Sequence, residues 1–464
     1  MGKYFGTDGF RGEANVTLDA YHAYRIGRFL GWYYASPMSG QEDPRHKTRN
    51  VIGKDTRHSG YMFEYAIVAG LTASGADAYM LHVTTTPSVS FVTARDEFDC
   101  GIMISASHNP YTDNGIKLVN RNGEKIDDKT IEIIEAYLDG GAPSLGLTTL
   151  DLPVATGTDI GKIVDYAAGR NRYVGYLISL AAHSYKEFRV GLDCANGASW
   201  MIAKAVFEAL GAKTYVIGNT PDGLNINEGV GSTHIDSLRR LVTSEDLDVG
   251  FAFDGDADRC IAVDENGNEV NGDHILYVLG KAMKAQGTLT NNTVVTTVMS
   301  NLGLYKALEQ ANMDYVQTTV GDRFIYENMV RNGHNLGGEQ SGHIIIRKYA
   351  TTGDWILTAI MLMEQVASQK LPLSKLCEHV RMYPQICESV RVLDKDEVLK
   401  NILVSSKLSE INDRLGNNGR MLLRKSGTEP VVRVMAEAAT KELCQSLVNE
   451  MLSIIKAEGL TCQK

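Results

Sequence analysis

The chain has 464 residues, of which 44% are hydrophobic and 22% charged, and its formal net charge is -10. That length suits about three or four domains of ordinary size, and the composition is typical of a folded globular protein. The negative charge argues against nucleic acid or an anionic membrane as a partner, so an anionic ligand would need a local concentration of positive charge.

The sequence predicts neither a membrane span nor an export signal. No uninterrupted apolar run is long enough to cross a bilayer, and the stretch Met1-Gly-Lys-Tyr-Phe-Gly-Thr-Asp8 lacks the apolar core of a signal peptide. The seven cysteines are scattered singly, without a Cys-x-x-Cys pair. We therefore expect a cytoplasmic protein with reduced cysteines, not a zinc site or a disulfide framework.

The first notable stretch is glycine-rich, Phe5-Gly-Thr-Asp-Gly-Phe-Arg-Gly12. Glycines permit a tight backbone that would aim Arg11 in a fixed direction, and a flexible N-terminal turn is the alternative. The next segment, 18–34, predicts an amphipathic helix. The polar, Pro-containing stretch 35–50 predicts a surface loop.

A strand–helix–strand pattern then recurs three times. The copies comprise a strand with its loop, a helix and a second strand at 50–57, 61–74 and 75–81, then at 188–197, 200–210 and 211–217, and then at 293–301, 304–310 and 313–316. In each copy, polar residues capable of binding a ligand follow the first strand, which is where parallel sheets place their binding sites. Three copies of one unit predict three similar α/β domains.

The segment Gly101-Ile-Met-Ile-Ser-Ala-Ser-His-Asn-Pro110 holds a serine at the end of a short buried strand. The apolar run 102–104 predicts the strand, and small polar residues with an Asn-Pro turn end it. Ser107 is therefore a candidate nucleophile or phosphoryl carrier, and a plain polar turn is the alternative. We do not expect a Ser-His-Asp triad through His108, because adjacent side chains diverge and Gly-x-Ser-x-Gly is absent.

Lys117 lies in a predicted strand, 116–119, between two turn signals. Its side chain should face away from Ile116 and Leu118, since successive side chains of a strand alternate. It could point at a site, although lysines on exposed strands usually serve only solubility.

Three aspartates at alternate positions follow an apolar strand in Val249-Gly-Phe-Ala-Phe-Asp-Gly-Asp-Ala-Asp-Arg259. In extended chain Asp254, Asp256 and Asp258 would share one face and repel one another unless a cation lay among them. Hard oxygen ligands favour magnesium or calcium. Magnesium with a position left open for phosphate fits best, because magnesium often shares its ligand shell with substrate phosphates.

Two other interpretations of this loop are a solvated acidic turn and an EF-hand. Counting from Asp254, Glu265 falls at position 12 of an EF-hand loop. Position 6, which needs Gly, is however Arg259, no helix precedes the loop, and strand-like residues follow it.

The stretch Gly337-Gly-Glu-Gln-Ser-Gly-His343 carries Glu339 and Ser341 between glycines. A carboxylate and a hydroxyl two residues apart can bond adjacent sugar hydroxyls, and a plain β-turn is the alternative.

The stretch Leu422-Leu-Arg-Lys-Ser-Gly-Thr-Glu-Pro-Val-Val-Arg433 is rich in anion donors. A guanidinium fork with hydroxyl and amide donors suits a phosphate dianion, and a basic surface loop is the alternative. No Gly-x-x-x-x-Gly-Lys-Ser/Thr is present, so the phosphate would not be that of ATP. The donors are Arg424, Ser426, the Gly427 backbone, Thr428 and Arg433.

The last segment differs from the three copies, with a helix, short strands, a Gly-rich loop and a long helix from Lys441, and it predicts an α+β domain. The four predicted domains are 1–152, 153–255, 256–372 and 373–464.

Five motifs in this order make the chain similar to one superfamily. They are Thr7-Asp-Gly-Phe-Arg-Gly12, Ser105-Ala-Ser-His-Asn-Pro110, Asp254-Gly-Asp-Ala-Asp-Arg259, Gly338-Glu-Gln-Ser-Gly-His343 and Arg424-Lys-Ser-Gly-Thr-Glu-Pro430. The chain resembles the α-D-phosphohexomutases over essentially its whole length, and most closely the bacterial phosphoglucosamine mutases. Two residues depart from the usual pattern: Phe10 replaces an aliphatic residue, and Ala257 stands where Gly is frequent.

The resemblance implies a heart-shaped fold of three similar α/β domains with mixed sheets and a C-terminal α+β domain around a central cleft. In chain order the domains would carry the phosphoserine loop, the metal-binding loop, the sugar-binding loop and the phosphate-binding loop. It further implies that Ser107 carries the phosphoryl group and that one Mg²⁺ per chain is held by phosphorylated Ser107 with Asp254, Asp256 and Asp258.

The remaining roles follow from the same resemblance. Arg11, Lys117 and Arg259 would surround the transferring group, and we count His108 with these catalytic residues as the neighbour of Ser107. Glu339 and Ser341 would bind sugar hydroxyls. Arg424, Ser426, Gly427, Thr428 and Arg433 would bind the non-reacting phosphate.

The implied activity is an isomerase that interconverts glucosamine 6-phosphate and glucosamine 1-phosphate through a hexosamine 1,6-bisphosphate, feeding UDP-N-acetylglucosamine and cell-wall precursor synthesis. Ser107 would be primed by the bisphosphate or by autophosphorylation, and a homodimer is possible. Three alternatives stay open at this point: a sister mutase acting on mannose or glucose phosphates, a magnesium-dependent phosphatase, and a catalytically silent sugar-phosphate-binding protein.

Overall fold

The structure is a computed structural model that describes residues 2–43, 45–426 and 430–462. Two compact units are present: unit 1 comprises Met1–Val298 and Val316–Cys377, and unit 2 comprises Met299–Tyr315 and Glu378–Lys464. Among the helices of the described residues, none has both the length and the hydropathy required to span a bilayer.

The regular elements are numbered in chain order. The strands are β1 (Phe5–Gly6), β2 (Gly9–Glu13), β3 (Arg49–Lys54), β4 (Asp77–Val83), β5 (Cys100–Ile104), β6 (Asp113–Asn120), β7 (Ile163–Asp165), β8 (Arg189–Asp193), β9 (Lys213–Ile217), β10 (Val249–Phe253), β11 (Cys260–Asp264), β12 (Glu269–Val270), β13 (Thr293–Thr297), β14 (Asp314–Thr318), β15 (Leu336–Gly338), β16 (Ile344–Ile346), β17 (Gln385–Arg391), β18 (Arg420–Lys425) and β19 (Val431–Glu437). The α-helices are α1 (Ala20–Tyr33), α2 (Ser59–Ala73), α3 (Thr86–Arg95), α4 (Asp128–Gly140), α5 (Ala167–Ser179), α6 (Ile202–Ala209), α7 (Asp236–Ser244), α8 (Gly272–Ala285), α9 (Leu302–Gln310), α10 (Asp322–Asn332), α11 (Trp355–Gln369), α12 (Leu373–Cys377), α13 (Lys395–Lys400), α14 (Ile402–Leu415) and α15 (Lys441–Ala457).

The first sheet of unit 1 has the order β1-β2-β6-β5-β3-β4-β7. Strands β3, β4 and β5 are parallel and buried, whereas β6 runs antiparallel to β5, with Met103 opposite Lys117. The chain leaves β5 at its carboxyl end directly before Ser105. This arrangement puts the serine loop and Lys117 at neighbouring positions of one sheet.

The second sheet of unit 1 has the order β12-β11-β10-β8-β9. Strand β10 is parallel to β8 and antiparallel to β11, so the aspartate loop 254–259 is the connection of an antiparallel pair at the carboxyl end of a parallel strand. Both strands of that pair are buried along their whole length, which fixes the ends of the loop.

A third sheet of unit 1 contains β13, β15 and β16. Strand β13 is parallel to β15, and β15 is antiparallel to β16, with Gly338 opposite Ile344. The stretch 339–343 connects β15 to β16 as a tight turn.

Unit 2 contains an antiparallel sheet of order β17-β19-β18. Apolar residues of β19 and one face of α15 form its core, with Val432, Val434, Leu447 and Met451 buried. Arg424 and Arg433 lie directly opposite each other on β18 and β19.

The predicted α/β class with mixed sheets is confirmed. All three predicted strand–helix–strand copies are present, and the helix predicted over 18–34 is α1. The predicted domain limits stay a prediction; the second sheet extends from Arg189 to Val270 and so runs past position 255.

Candidate active site

Ser107 is buried and lies in contact with the aspartate loop. Its backbone has a φ of 53°, in the left-handed region that residues other than glycine seldom adopt. Its Oγ donates a hydrogen bond to Asp254 Oδ2 and lies 3.3 Å from His108 Nδ1. The serine predicted as a phosphoryl carrier and the first of the three aspartates are thus joined across two sheets.

The three aspartates form one buried cluster. Asp254, Asp256 and Asp258 each offer a carboxylate oxygen within 4.8 Å of the other two. The loop approaches the serine through Gly255, where a Cβ would lie 2.4 Å from the carbonyl oxygen of Ser107, so only glycine fits. Ala257 has a φ of 58°, which explains why glycine is common at that position in the superfamily.

The two carboxylate oxygens of Asp256 and of Asp258 differ in their hydrogen bonding. Lys117 Nζ lies 2.7 Å from Asp256 Oδ2 and 2.9 Å from Asp258 Oδ2, and Thr86 Oγ1 also donates to Asp256 Oδ2. Among the described residues, no donor bonds Oδ1 of Asp256 or Oδ1 of Asp258, although both are buried. Unsatisfied buried carboxylate oxygens are costly, and a hard divalent cation such as Mg²⁺ is the ligand that suits them.

The pKa values of the cluster reflect this crowding of charge. Burial, followed by the neighbouring charges of Asp258 and Asp256, raises the pKa of Asp254 well above its usual range. Burial by itself would lower the pKa of Lys117, but Asp256, Asp258 and Asp8 outweigh it and raise that pKa. The raised pKa means that the charged form of Asp254 is disfavoured in this crowded site, and a bound cation would favour it.

Two arginines and a neutral histidine border the cluster. Arg11 donates to Asp8, and Arg259 Nε lies 4.0 Å from Asp258 Oδ1. Burial opposes the charge on Arg259, but nearby carboxylates, Asp258 foremost, raise its pKa. Burial, followed by Arg259 and Arg11, lowers the pKa of His108 to about 4, so its imidazole is neutral at neutral pH.

Glu339 and Ser341 occupy the turn between β15 and β16. Glu339 Oε1 accepts a hydrogen bond from the Gly321 amide at 3.0 Å, and Ser341 Oγ lies 3.3 Å from Glu339 Oε2. Glu339 is half-buried and Ser341 exposed, and Glu339 is among the carboxylates that raise the pKa of Arg259. The Glu339 carboxylate is thus electrostatically coupled to Arg259 at the edge of the aspartate cluster.

In unit 2, Arg424 and Arg433 are half-buried cross-strand neighbours. Directly opposite residues of an antiparallel pair lie on the same face of the sheet, so both arginine side chains leave the sheet on one side. Ser426 is buried just beyond β18, and its amide donates to Val431 O at 3.0 Å. Gly427 and Thr428 lie outside the described residues.

Several residues around the serine were not predicted. Asp8 bonds Lys125 and Arg11 and lies 3.0 Å from Lys117, and its position inside the first motif was the one available signal. Lys125 also pairs with Asp322 at 2.6 Å, where no pattern in the sequence suggested a site. Three further residues, from segments distant in the chain, also contact the site. Thr86 bonds Asp256, and Arg57 and Asn227 both bond the carbonyl oxygen of Ser107.

Comparison with known proteins gives consistent matches over the whole chain. Four domain families, described as phosphoglucomutase/phosphomannomutase alpha/beta/alpha domains I, II and III and C-terminal domain, match residues 2–143, 171–267, 271–383 and 389–454. A phosphoglucosamine mutase of Lachnospira eligens is 58% identical, with 99% of each chain covered.

Two solved structures share the fold. A phosphoglucomutase/phosphomannomutase family protein of Burkholderia thailandensis matches with a TM-score of 0.79 at 22% identity, covering 98% of each chain. An Aspergillus fumigatus N-acetylphosphoglucosamine mutase, in complex with GlcNAc-6P and magnesium, matches with a TM-score of 0.69 at 17% identity, covering 97% of this chain and 95% of that one.

Proposed function

Because the chain belongs to the phosphoglucomutase/phosphomannomutase family, we propose that it interconverts glucosamine 6-phosphate and glucosamine 1-phosphate through phosphorylated Ser107. It is a phosphotransferase of the isomerase class. The full-length similarity to a relative named phosphoglucosamine mutase supports the choice of substrate over glucose or mannose phosphates.

The observation that carries this proposal is the hydrogen bond from Ser107 Oγ to Asp254. It brings the candidate phosphoryl carrier against the metal-type carboxylate cluster in a buried setting. Phosphoryl transfer depends mostly on positioning and charge neutralisation, and both are available here.

The transfer exchanges one P–O bond for another. The bond between phosphorus and Ser107 Oγ breaks, the free hydroxyl of the hexose phosphate bonds the phosphorus, and its proton is transferred, in net terms, to Oγ. The other phosphate of the bisphosphate then returns to Ser107. Neutral His108, with Nδ1 3.3 Å from Oγ, is suited to hydrogen-bond the freed serine.

The chain's charged residues stabilise the transferring group. Arg11, Lys117 and Arg259 supply positive charge, which offsets that on the phosphoryl oxygens. Phosphorylated Ser107 with Asp254, Asp256 and Asp258 would hold one Mg²⁺, which supplies further neutralisation of phosphoryl charge when bound. Priming of Ser107 by a hexosamine 1,6-bisphosphate or by autophosphorylation belongs to the same proposal.

Two further sets of residues are assigned to the sugar and to its non-reacting phosphate. Glu339 and Ser341 bind sugar hydroxyls, and the non-reacting phosphate is bound by Arg424, Ser426, Gly427, Thr428 and Arg433. The cross-strand pair of Arg424 and Arg433 supports this assignment, because two adjacent guanidinium groups suit a dianion. A homodimer and a cytoplasmic location stay predictions.

The test is Ser107→Ala in a coupled assay with Mg²⁺ and a trace of hexose bisphosphate. We expect the variant to lose mutase activity while its thermal midpoint stays that of the parent, and intact mass should show a phosphate on the parent only. Full activity in the variant, with no phosphoserine in the parent, would rule out the scheme. Faster turnover of mannose or glucose phosphates than of glucosamine 6-phosphate would move the chain to a sister activity.

Two alternatives are separated by the same assay. A magnesium-dependent phosphatase would release inorganic phosphate steadily and would not need the arginine pair of unit 2. A silent binding protein would bind glucosamine 6-phosphate without turnover.

A further inference from the structure

One buried arginine bonds four carbonyl oxygens of the serine loop. Arg57 follows β3 and has a relative exposure of 0%. Its Nη2 donates to the carbonyl oxygens of Ser107 at 2.8 Å and Asn109 at 2.9 Å. Its Nη1 donates to the carbonyl oxygens of Pro110 and, at 3.0 Å, of Asp113. A guanidinium has five N–H groups, and four of them are thus spent on one loop.

The fifth N–H group fixes the guanidinium itself. Arg57 Nε donates to Asp55 Oδ2 at 2.8 Å, and the same oxygen accepts the Ser105 hydroxyl at 2.6 Å. Ser105 Oγ in turn accepts the Ser107 amide at 2.9 Å. Both the N–H and the carbonyl of Ser107 are therefore tied to the buried pair of Asp55 and Arg57.

A second donor reaches the same carbonyls from another sheet. Asn227 lies in the connection between β9 and α7, and its Nδ2 donates to Ser107 O at 2.9 Å and Asn109 O at 3.1 Å. Its own backbone, with a φ of 61°, is held by a bond from its amide to Ala195 O at 2.8 Å. Two side chains from separate elements thus converge on two carbonyl oxygens.

We propose that Arg57 and Asn227 are positioning residues for phosphoryl transfer: together they hold Ser107 in its left-handed conformation, with Oγ directed at Asp254. A non-glycine residue in this region of conformational space is strained, and it persists only where surrounding contacts determine it. The serine carries such a conformation in a loop whose carbonyls would otherwise be free to rotate. The inference rests on the proposed function, since it concerns the efficiency of transfer at Ser107.

The first test is Arg57→Lys, measured as steady-state kinetics with glucosamine 6-phosphate at saturating Mg²⁺. Lysine keeps the charge but has three donors on one nitrogen and cannot reproduce the fork. We expect kcat to fall by about 10-fold to 100-fold, because misplacing a reacting group by about 1 Å can cost 10²-fold in rate. The KM should stay within about twofold, because neither residue is assigned to substrate binding.

The matched control is Arg28→Lys. Arg28 is equally buried in α1, where it bonds Ser74 Oγ at 2.7 Å and Leu152 O at 2.5 Å; neither of these partners is assigned to the site. It should lose stability as Arg57→Lys does, yet keep the parent's kcat per folded molecule.

Asn227→Ala is the second variant. If Arg57→Lys fails to fold, Asn227→Ala alone tests whether contacts to the serine loop position Ser107 for transfer. It removes two hydrogen bonds without burying a new charge, and we expect a smaller fall in kcat with unchanged KM. Single-turnover transfer from phosphorylated Ser107 to the sugar should slow by the same factor as kcat.

If both variants fold and both keep the parent's kcat, the inference is wrong, and the proposed function is unaffected. If only Asn227→Ala folds, its unchanged kcat has the same meaning. A fall that the Arg28→Lys control shares in full would also overturn it, because the effect would then be one of stability. An inactive parent would remove the proposed function and, with it, this inference.

Discussion

Two regions of the molecule are suited to phosphate in opposite ways. Around Ser107 in unit 1, three buried carboxylates form one cluster, in which Lys117 bonds Asp256 and Asp258 and Arg259 lies 4.0 Å from Asp258 Oδ1. In unit 2, two positively charged side chains, Arg424 and Arg433, lie opposite each other on neighbouring strands.

The difference follows from what each region must do in the proposed reaction. A phosphoryl group in transfer needs a divalent cation, and a carboxylate cluster recruits one. A phosphate that only anchors the substrate needs direct donors and no metal. The two regions therefore offer opposite kinds of group: carboxylates that can hold a cation in unit 1, and guanidinium groups that can bind an anion in unit 2.

The largest effect on the mutase rate should come from removing the Mg²⁺ that we propose at the aspartate cluster. After treatment with EDTA and gel filtration, we expect the mutase rate to fall at least about 100-fold, as it does when transition-state charge loses a stabilising partner. Titration with MgCl₂ should restore the rate in the parent but not in Asp256→Asn, which loses one anionic ligand. Mg²⁺ should also raise the thermal midpoint of the parent, because it relieves repulsion among the carboxylates. Full activity in protein shown by elemental analysis to lack divalent metal would remove the contrast between the two regions.

In the second region, Arg424→Gln should act mainly on substrate affinity. A hydrogen bond to a charged group is worth about 1.5–3 kcal/mol, so we expect the KM for glucosamine 6-phosphate to rise by about 10-fold to 100-fold.

Arg414→Gln is the control for this variant. Arg414 is 50% exposed in the same unit and pairs with Glu450, so its loss should leave the KM unchanged. An unaltered KM in Arg424→Gln would mean that the arginine pair does not bind the substrate's phosphate.

The smallest expected effect concerns the strained backbone of the aspartate loop. Ala257→Gly removes the penalty of a left-handed alanine, about 1–2 kcal/mol, but adds the entropy that glycine loses on folding, about 0.5–1 kcal/mol. We expect a small rise in the urea midpoint and a kcat within about twofold of the parent.

Ala195→Gly, at a φ of 54° in a different loop, gives the matched comparison. A large loss of activity in Ala257→Gly alone would show that the alanine methyl, and not only the backbone, supports the aspartate loop.

Much of the site could be predicted because its residues follow local patterns. Asp254 and Glu339 stand directly after a strand and Ser107 stands in the loop after β5, where hydrophobic runs and turn residues mark the boundary in the sequence. Strand alternation predicts the direction of the Lys117 side chain. It does not predict the partners of that side chain, because Asp256 and Asp258 follow a strand of another sheet. Arg57 was visible as the end of a strand-and-loop segment, yet nothing nearby indicated that its guanidinium reaches the carbonyls of Ser107 and Asn109.

The sequence by itself determined the α/β class, the three repeated units, the residue types of the site and the family. Only the tertiary structure decided which aspartate oxygens accept no hydrogen bond from the described residues, that Gly255 must be glycine, and that Asn227 donates to the carbonyl of Ser107. The reason is physical: periodicity and turn chemistry act over a few residues, whereas hydrogen bonds between loops depend on how separate sheets pack.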